Sequence, residues 1–232
     1  MKRPGPGLVA LLTTTILLPI SVYARAGQDA RPALRPAASF ATIRDPAIRS
    51  VALFTEMGKV FQSPRCLNCH PRSDRPTQYD SLTPHQPAVL RGPEGKGVAG
   101  LECATCHGPA NVDFVNGTGS MPGNPNWHLA PIEMAWQGKS LAEICRQLKD
   151  PERNGHKSLA DLVVHNGTDK LVGWGWHPGK GRKPTPGTQA EFGALTQAWV
   201  ETGAQCPAID PAATARPITV RRPLAAILSK SG

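Results

Sequence analysis

The feature that most constrains this chain is a short unit of two cysteines and a histidine that occurs twice. It is found in the stretches "RCLNCHP" at residues 65–71 and "ECATCHG" at residues 102–108. In both, two residues separate the cysteines, and the histidine follows the second cysteine directly. The members are Cys66, Cys69 and His70 in the first unit and Cys103, Cys106 and His107 in the second.

Covalent attachment of haem accounts for every position of this unit. Each thiol can add to one porphyrin vinyl group, and a single helical turn can present both thiols to the ring. The adjacent histidine can then ligate the iron from the proximal side. We therefore expect two haem c groups, with thioether bonds at all four cysteines and proximal iron ligation by His70 and His107.

Two other chemistries use paired cysteines. Two Cys-x-x-Cys pairs can hold a structural zinc ion, and a single pair can act in thiol–disulfide exchange. Neither requires a histidine directly after both pairs, so the repeated histidine favours haem.

The start of the chain predicts export. Lys2 and Arg3 precede an apolar run over residues 8–20, and small residues follow near Ala24, as in a secretory signal peptide. The run is too short to span a bilayer, although an uncleaved anchor is the alternative. We expect residues 1–24 to be removed and the remaining chain to lie in the periplasm, the side of the membrane on which haem c is attached.

Charge and composition limit the partners. The formal net charge is +9 and falls to +7 when the signal is removed, and the basic residues are scattered without interleaved aromatics. This pattern does not indicate nucleic-acid binding. It suits redox protein partners with acidic docking surfaces, and no segment after the signal is expected to span the membrane.

The periodicity predicts a mainly α, loop-rich cytochrome c-like fold of short helices around the two haems, with no substantial sheet. Helix starts are expected at Asp45, Ser140, Ser158 and Thr188. With 23 glycines, 24 prolines and 5% aromatic residues, the polypeptide offers little apolar surface, so the haems should complete the core. The expected organisation is a flexible leader (25–44), a diheme domain (45–207) and a poorly ordered tail (208–232).

Cys145 and Cys206 lie outside the two units. They form an even pair in an oxidising compartment, and a disulfide between them is expected.

The distal iron ligands are less constrained by the sequence. His85 lies between two prolines, and His128 follows a tryptophan that could cover a porphyrin edge. We assign these two histidines as distal ligands, because their loops can reach a haem and have restricted freedom. The rivals are Met121, Met134 and His165.

The stretches "CLNCH" and "CATCH", with the helix leading into the first, resemble diheme c-type cytochromes. More loosely, "NPNWHLAP", "EMAWQGKSLAEICRQLKDP" and "LVGWGWHPG" resemble small exported cytochrome-like proteins named as an isoquinoline 1-oxidoreductase subunit, over most of residues 45–207. This second resemblance implies electron transfer beside a molybdenum hydroxylase. The chain has no molybdopterin or iron–sulfur motif, so it would be the electron carrier.

Two function classes follow. The first is a periplasmic electron carrier serving an exported dehydrogenase or molybdenum hydroxylase, with the redox chemistry supplied by the haems. The second is a diheme peroxidase with one open iron position. The peroxidase is disfavoured because the chain is short and shows no acid–base constellation for peroxide cleavage.

Overall fold

The computed structural model describes residues 33–209, together with Met1. Within this range the α-helices are α1 (Pro46–Phe61), α2 (Pro64–Cys69), α3 (Leu141–Leu148), α4 (Leu159–Thr168), α5 (Lys170–Gly173) and α6 (Gln189–Glu201). Short 3-10 helices cover Ala37–Phe40, Pro93–Gly95, Cys103–Thr105, Ile132–Met134, Pro151–Arg153 and Trp174–Trp176. Two-residue strands form three antiparallel hairpins: β1 (Thr77–Gln78) with β2 (Thr83–Pro84), β3 (Gly97–Val98) with β4 (Leu101–Glu102), and β5 (Val112–Asp113) with β6 (Ser120–Met121). The prediction of a mainly helical fold without a substantial sheet is confirmed.

Side-chain caps start the four longer helices. Asp45 accepts a hydrogen bond from the Ile48 amide at the start of α1, where a proline occupies the first helical position. Ser140, Ser158 and Thr188 each form a reciprocal capping box with the acidic residue three positions later. These caps satisfy amides that have no partner within a helix, and they place each helix start where the sequence predicted it.

The core is an aromatic cluster between α1 and α6. The ring centroids of Phe54 and Trp199 lie 5.0 Å apart, and Phe61 packs edge-to-face on Phe192 at 5.2 Å. Trp136 packs on the other side of Phe61, also at 5.2 Å. Each large ring buries much apolar surface, so a few aromatic residues suffice to form a hydrophobic core in this part of the chain.

A disulfide ties α3 to the chain after α6. Cys145 on α3 is bonded to Cys206, with the two Cα atoms 5.6 Å apart. Lys149 supports the same junction, because its Nζ donates to the Ala204 carbonyl at 2.9 Å. These contacts fix the end of α6 against the helical core.

The second half of the predicted flexible leader packs on the core. Leu34 and Phe40 are 3% and 1% exposed, and the Arg35 amide donates to the Glu56 side chain on α1 at 2.9 Å. The prediction rested on the content of Ala, Pro and Arg in this segment. It overlooked that Leu34 and Phe40 gain free energy when their large apolar side chains are buried. Residues 33–44 are therefore part of the folded unit, and that part of the leader prediction is wrong.

Helix α4 runs through Gly167 to Thr168. Gly167 faces Gly193 of α6, and a methyl group built on Gly193 would lie 2.7 Å from the Gly167 Cα atom. Glycine therefore serves here for the close approach of two helices and does not end the helix. This contact fixes α4 in the position from which it faces the site described below.

The remaining predictions for the two termini concern residues outside the described range. The predicted signal peptide (1–24), the start of the leader and the tail from residue 210 onward belong to this group. Among residues 33–209, no helix has the length and apolar character needed to cross a membrane.

The Gly167–Gly193 contact generates a stability prediction. Gly193→Ala should lower the free energy of unfolding by about 1–3 kcal/mol, because the added methyl group meets backbone and overpacking outweighs the gain in helix propensity. Denaturant unfolding followed by circular dichroism measures the change. The control is Ala194→Ser, which also adds one heavy atom but lies on the exposed face of α6 and should change stability by less than about 0.5 kcal/mol. Equal stability of Gly193→Ala and wild type would contradict the close contact.

Candidate functional site

The first cysteine unit lies on a short helix that α1 leads into. Pro64 opens α2, and Cys66 and Cys69 are three residues apart, so both thiols lie on one side of the helix. His70 ends the helix, and its backbone N–H donates to the Cys66 carbonyl at 3.0 Å. Both thiols line a cavity next to the aromatic core.

The second unit lies on a 3-10 turn instead of an α-helix but shares one backbone hydrogen bond with the first unit. Cys103 opens a single 3-10 turn, and the His107 backbone N–H donates to the Cys103 carbonyl at 2.9 Å. Cys106 is exposed, and the unit follows the short strand β4. The two units thus share the hydrogen bond from the histidine to the first cysteine, although their surroundings differ.

Each histidine ring is fixed by a backbone carbonyl from a distant loop. Nδ1 of His70 donates to the Met134 carbonyl at 2.7 Å, and Nδ1 of His107 donates to the Pro122 carbonyl at 2.8 Å. A ring that donates through Nδ1 keeps the Nε2 lone pair free, which is the arrangement typical of metal-binding histidines. Both rings are therefore set to bind a metal through Nε2.

A tryptophan stacks on each of these rings. Trp136 lies parallel to the His70 ring at 3.5 Å between centroids, and Trp127 lies 4.7 Å from the His107 ring at an angle of 21°. Trp136 is itself oriented by a hydrogen bond from its Nε1 to the Gln147 side chain at 2.7 Å. The sequence predicted that Trp127 could pack against a porphyrin edge. It did not predict the stacking of Trp136 on His70 or the two carbonyl acceptors.

Burial keeps the groups of the first unit uncharged. It lowers the pKa of His70 to about 4, and it raises the pKa of Cys66 to about 11 and that of Cys69 to about 12. Burial also lowers the pKa of His107. Neutral imidazole is the form that ligates a metal. Cysteines that act in thiol exchange have lowered pKa values, so the Cys66–Cys69 pair does not suit that chemistry.

A cavity of about 950 Å³ is lined by Cys66, Cys69 and His70 of the first unit and by His107 of the second. Its volume is near the upper end of the range of about 300–1,000 Å³ that is usual for pockets holding small molecules and cofactors. The wall includes side chains from both units and from α4, and several are aromatic. Among the lining residues are Cys66, Cys69, His70, His107, Trp127, His128, Met134, Trp136, His165 and Trp174.

The histidines assigned as distal ligands lie in different places. His85 follows the β1–β2 hairpin, and its ring centroid is 6.0 Å from that of His107. Its Nδ1 contacts the Pro87 carbonyl at 3.0 Å. Two imidazoles that bind one metal from opposite sides, with bonds of about 2 Å each, have centroids about 6 Å apart. The structure thus brings His85 to the second unit, within the separation that shared ligation requires.

His128 and His165 share the cavity wall. Nδ1 of His128 contacts the Asn126 carbonyl at 2.6 Å. His165 lies on the stripe of α4 that faces the cavity, three residues after Leu162 and one before Asn166, both of which also line it. Positive charge on His165 would lower the pKa of His70, so these two rings are within electrostatic reach. His165, one of the alternative ligands predicted from the sequence, is therefore a ligand candidate beside His128.

The backbone at each of the two alternative methionines lies near the Nδ1 atom of a proximal ring. The Met134 carbonyl accepts from His70, and Met121 immediately precedes Pro122, whose carbonyl accepts from His107. Met134 also lines the cavity, so both methionines stay alternative predictions for a distal position.

The described residues do not gather as a zinc site. A structural zinc ion needs four side-chain ligands in one cluster. Across residues 33–209, no group of three or more Cys, His, Asp or Glu side chains is close enough to hold a metal ion together. Each unit offers a cysteine pair and the Nε2 atom of its histidine as the groups that could hold a cofactor.

Comparison of the chain with protein-family models, with curated proteins and with solved structures finds no match.

Proposed function

We propose that this chain is an exported electron-transfer protein that carries two covalent haems. The observation that carries the proposal is the repetition of one local geometry at both units, beside a shared cavity. In each unit the histidine amide bonds to the first cysteine carbonyl, Nδ1 donates to a loop carbonyl, and a tryptophan stacks on the ring. Haem iron supplies reversible transfer of single electrons, and the chain supplies attachment, ligation and burial.

The four cysteine thiols hold the two haems, and His70 and His107 take the proximal positions. The Nδ1 hydrogen bonds orient each ring and increase its basicity, which strengthens it as an iron ligand. The aromatic side chains around the cavity exclude water from the buried edge of the cofactor. Lower exposure of this kind also contributes to the reduction potential.

We assign His85 as the distal ligand of the second haem and His165 as that of the first. The 6.0 Å separation of the His85 and His107 rings supports the first assignment. The position of His165 on the cavity face of α4 supports the second, with His128 as the competing ligand. A ligand on each side of both irons favours electron transfer over peroxidase chemistry, which needs an open position.

The charge of the chain supports partners with acidic docking surfaces. A net charge of +7 after loss of the signal speeds encounter with an acidic protein. We propose a periplasmic dehydrogenase or molybdenum hydroxylase as the electron donor.

Spectroelectrochemical titration tests the electron-transfer proposal. We expect the holoprotein to take up two electrons in two one-electron steps, with low-spin spectra in both oxidation states. The sample should be expressed with its signal and a haem c maturation system. A high-spin haem that turns over hydrogen peroxide would contradict this proposal and support the diheme peroxidase.

Alanine variants of the histidines test the distal assignments. His85→Ala should make one haem high-spin and allow it to bind carbon monoxide rapidly when reduced, and His165→Ala should do the same to the other haem. The matched control is His156→Ala, since His156 is exposed and lies outside the cavity wall. Carbon monoxide binding measured by flash photolysis distinguishes the variants.

Each assignment can fail separately in this experiment. If His128→Ala opens an iron while His165→Ala stays low-spin, His128 is the distal ligand of that haem. If His85→Ala leaves both haems low-spin, the assignment of His85 is wrong.

A further inference from the structure

Arg65 is a buried charge in the wall of the cavity. It directly precedes Cys66, and its side chain is only 2% exposed. One terminal nitrogen, Nη2, donates to the Asp80 carboxylate. Its Nε atom is shielded from solvent and has no hydrogen-bond partner among the described residues. Leaving a buried donor unpaired is unfavourable, and more so when the group is charged.

The protein side chains around Arg65 leave positive charge in excess. Asp80 is the carboxylate that pairs with Arg65 among residues 33–209, and it is 39% exposed. Arg182 is near enough to interact electrostatically with Arg65, and its guanidinium donates to neutral oxygens of Ser120 and Pro178. Two guanidinium groups therefore share one partly solvated carboxylate. Buried cations in proteins are normally paired and fully hydrogen-bonded, so this site lacks an anionic acceptor.

Arg65 lies where a group bound in the cavity could supply that acceptor. Arg65 lines the cavity together with Cys66, Cys69 and His70. A guanidinium group binds a carboxylate through two parallel hydrogen bonds, one of which Nε can supply. A haem carries two propionate carboxylates.

We propose that Arg65 binds a propionate of one of the two haems and thereby raises the reduction potential of that haem. This inference rests on the proposed function. A cation beside the haem favours the ferrous state, because the ferric state carries one more positive charge. It also neutralises a propionate that would otherwise stabilise the ferric state.

The test compares reduction potentials of holoprotein variants. Arg65→Met removes the charge and keeps a side chain of similar length. It should decrease the equilibrium constant for reduction of one haem by about tenfold, which is about 59 mV for a one-electron couple. That haem should also gain a pH-dependent potential over the range in which a carboxylic acid titrates. The other haem should keep its potential.

Two further variants separate this role from general charge effects. Arg72→Met removes an exposed arginine two residues after His70. It should change the equilibrium constant for reduction of neither haem by more than about threefold. Arg65→Lys keeps the charge but loses the planar fork. It should keep the equilibrium constant for reduction of that haem within about threefold of wild type. It should also shift the carboxylate bands of the redox-induced infrared difference spectrum.

The outcomes distinguish this inference from the proposed function. If Arg65→Met contains both haems with unchanged potentials and no new pH dependence, the inference is wrong. If Arg65→Met cannot be obtained as holoprotein, identical carboxylate bands in wild type and Arg65→Lys overturn it. Wild-type protein that carries no haem contradicts the proposed function instead.

Discussion

The hydrogen bond from each histidine Nδ1 to a distant carbonyl is the interaction on which the site depends. It joins His70 to Met134 over 64 residues and His107 to Pro122 over 15. The loop that contains Met134 also bonds to the first unit, because the Trp136 and Gln137 amides donate to the His70 carbonyl at 3.0 and 3.2 Å. Ring orientation, tautomer and the position of the stacked tryptophan therefore follow from one set of contacts, and they leave both Nε2 atoms free.

The two units are supported unequally. The first follows α1 and lies against the aromatic core. The second lies in the loops between residues 71 and 131, where Leu129 is the one buried large hydrophobic residue. A chain segment with so little buried apolar surface gains less from folding than the helical part does. A haem at the second unit would replace part of that missing core and would also be the more exposed of the two.

Local features of this protein could be read from its sequence, whereas long-range ones could not. The caps at Asp45, Ser140, Ser158 and Thr188 act through neighbours three residues away, so the pattern alone places the helix starts. The carbonyls of Met134 and Pro122 carry no side-chain signal, and loop reach allowed His85 to serve either unit. Glycine often ends a helix, and only the contact of Gly167 with Gly193 on another helix shows why it lies inside α4. The signal for Arg65 was also structural, since only burial shows that its Nε lacks a partner.

Covalent haem at both units is the central claim, and intact-mass measurement with peptide mapping tests it most directly. Protein expressed with its signal and a haem c maturation system should gain the mass of two haems. Peptide mapping should locate one haem on the peptide that contains Cys66 and Cys69 and the other on the peptide that contains Cys103 and Cys106. Protein with an unmodified polypeptide mass and four free thiols, or with bound zinc in place of haem, would contradict the account.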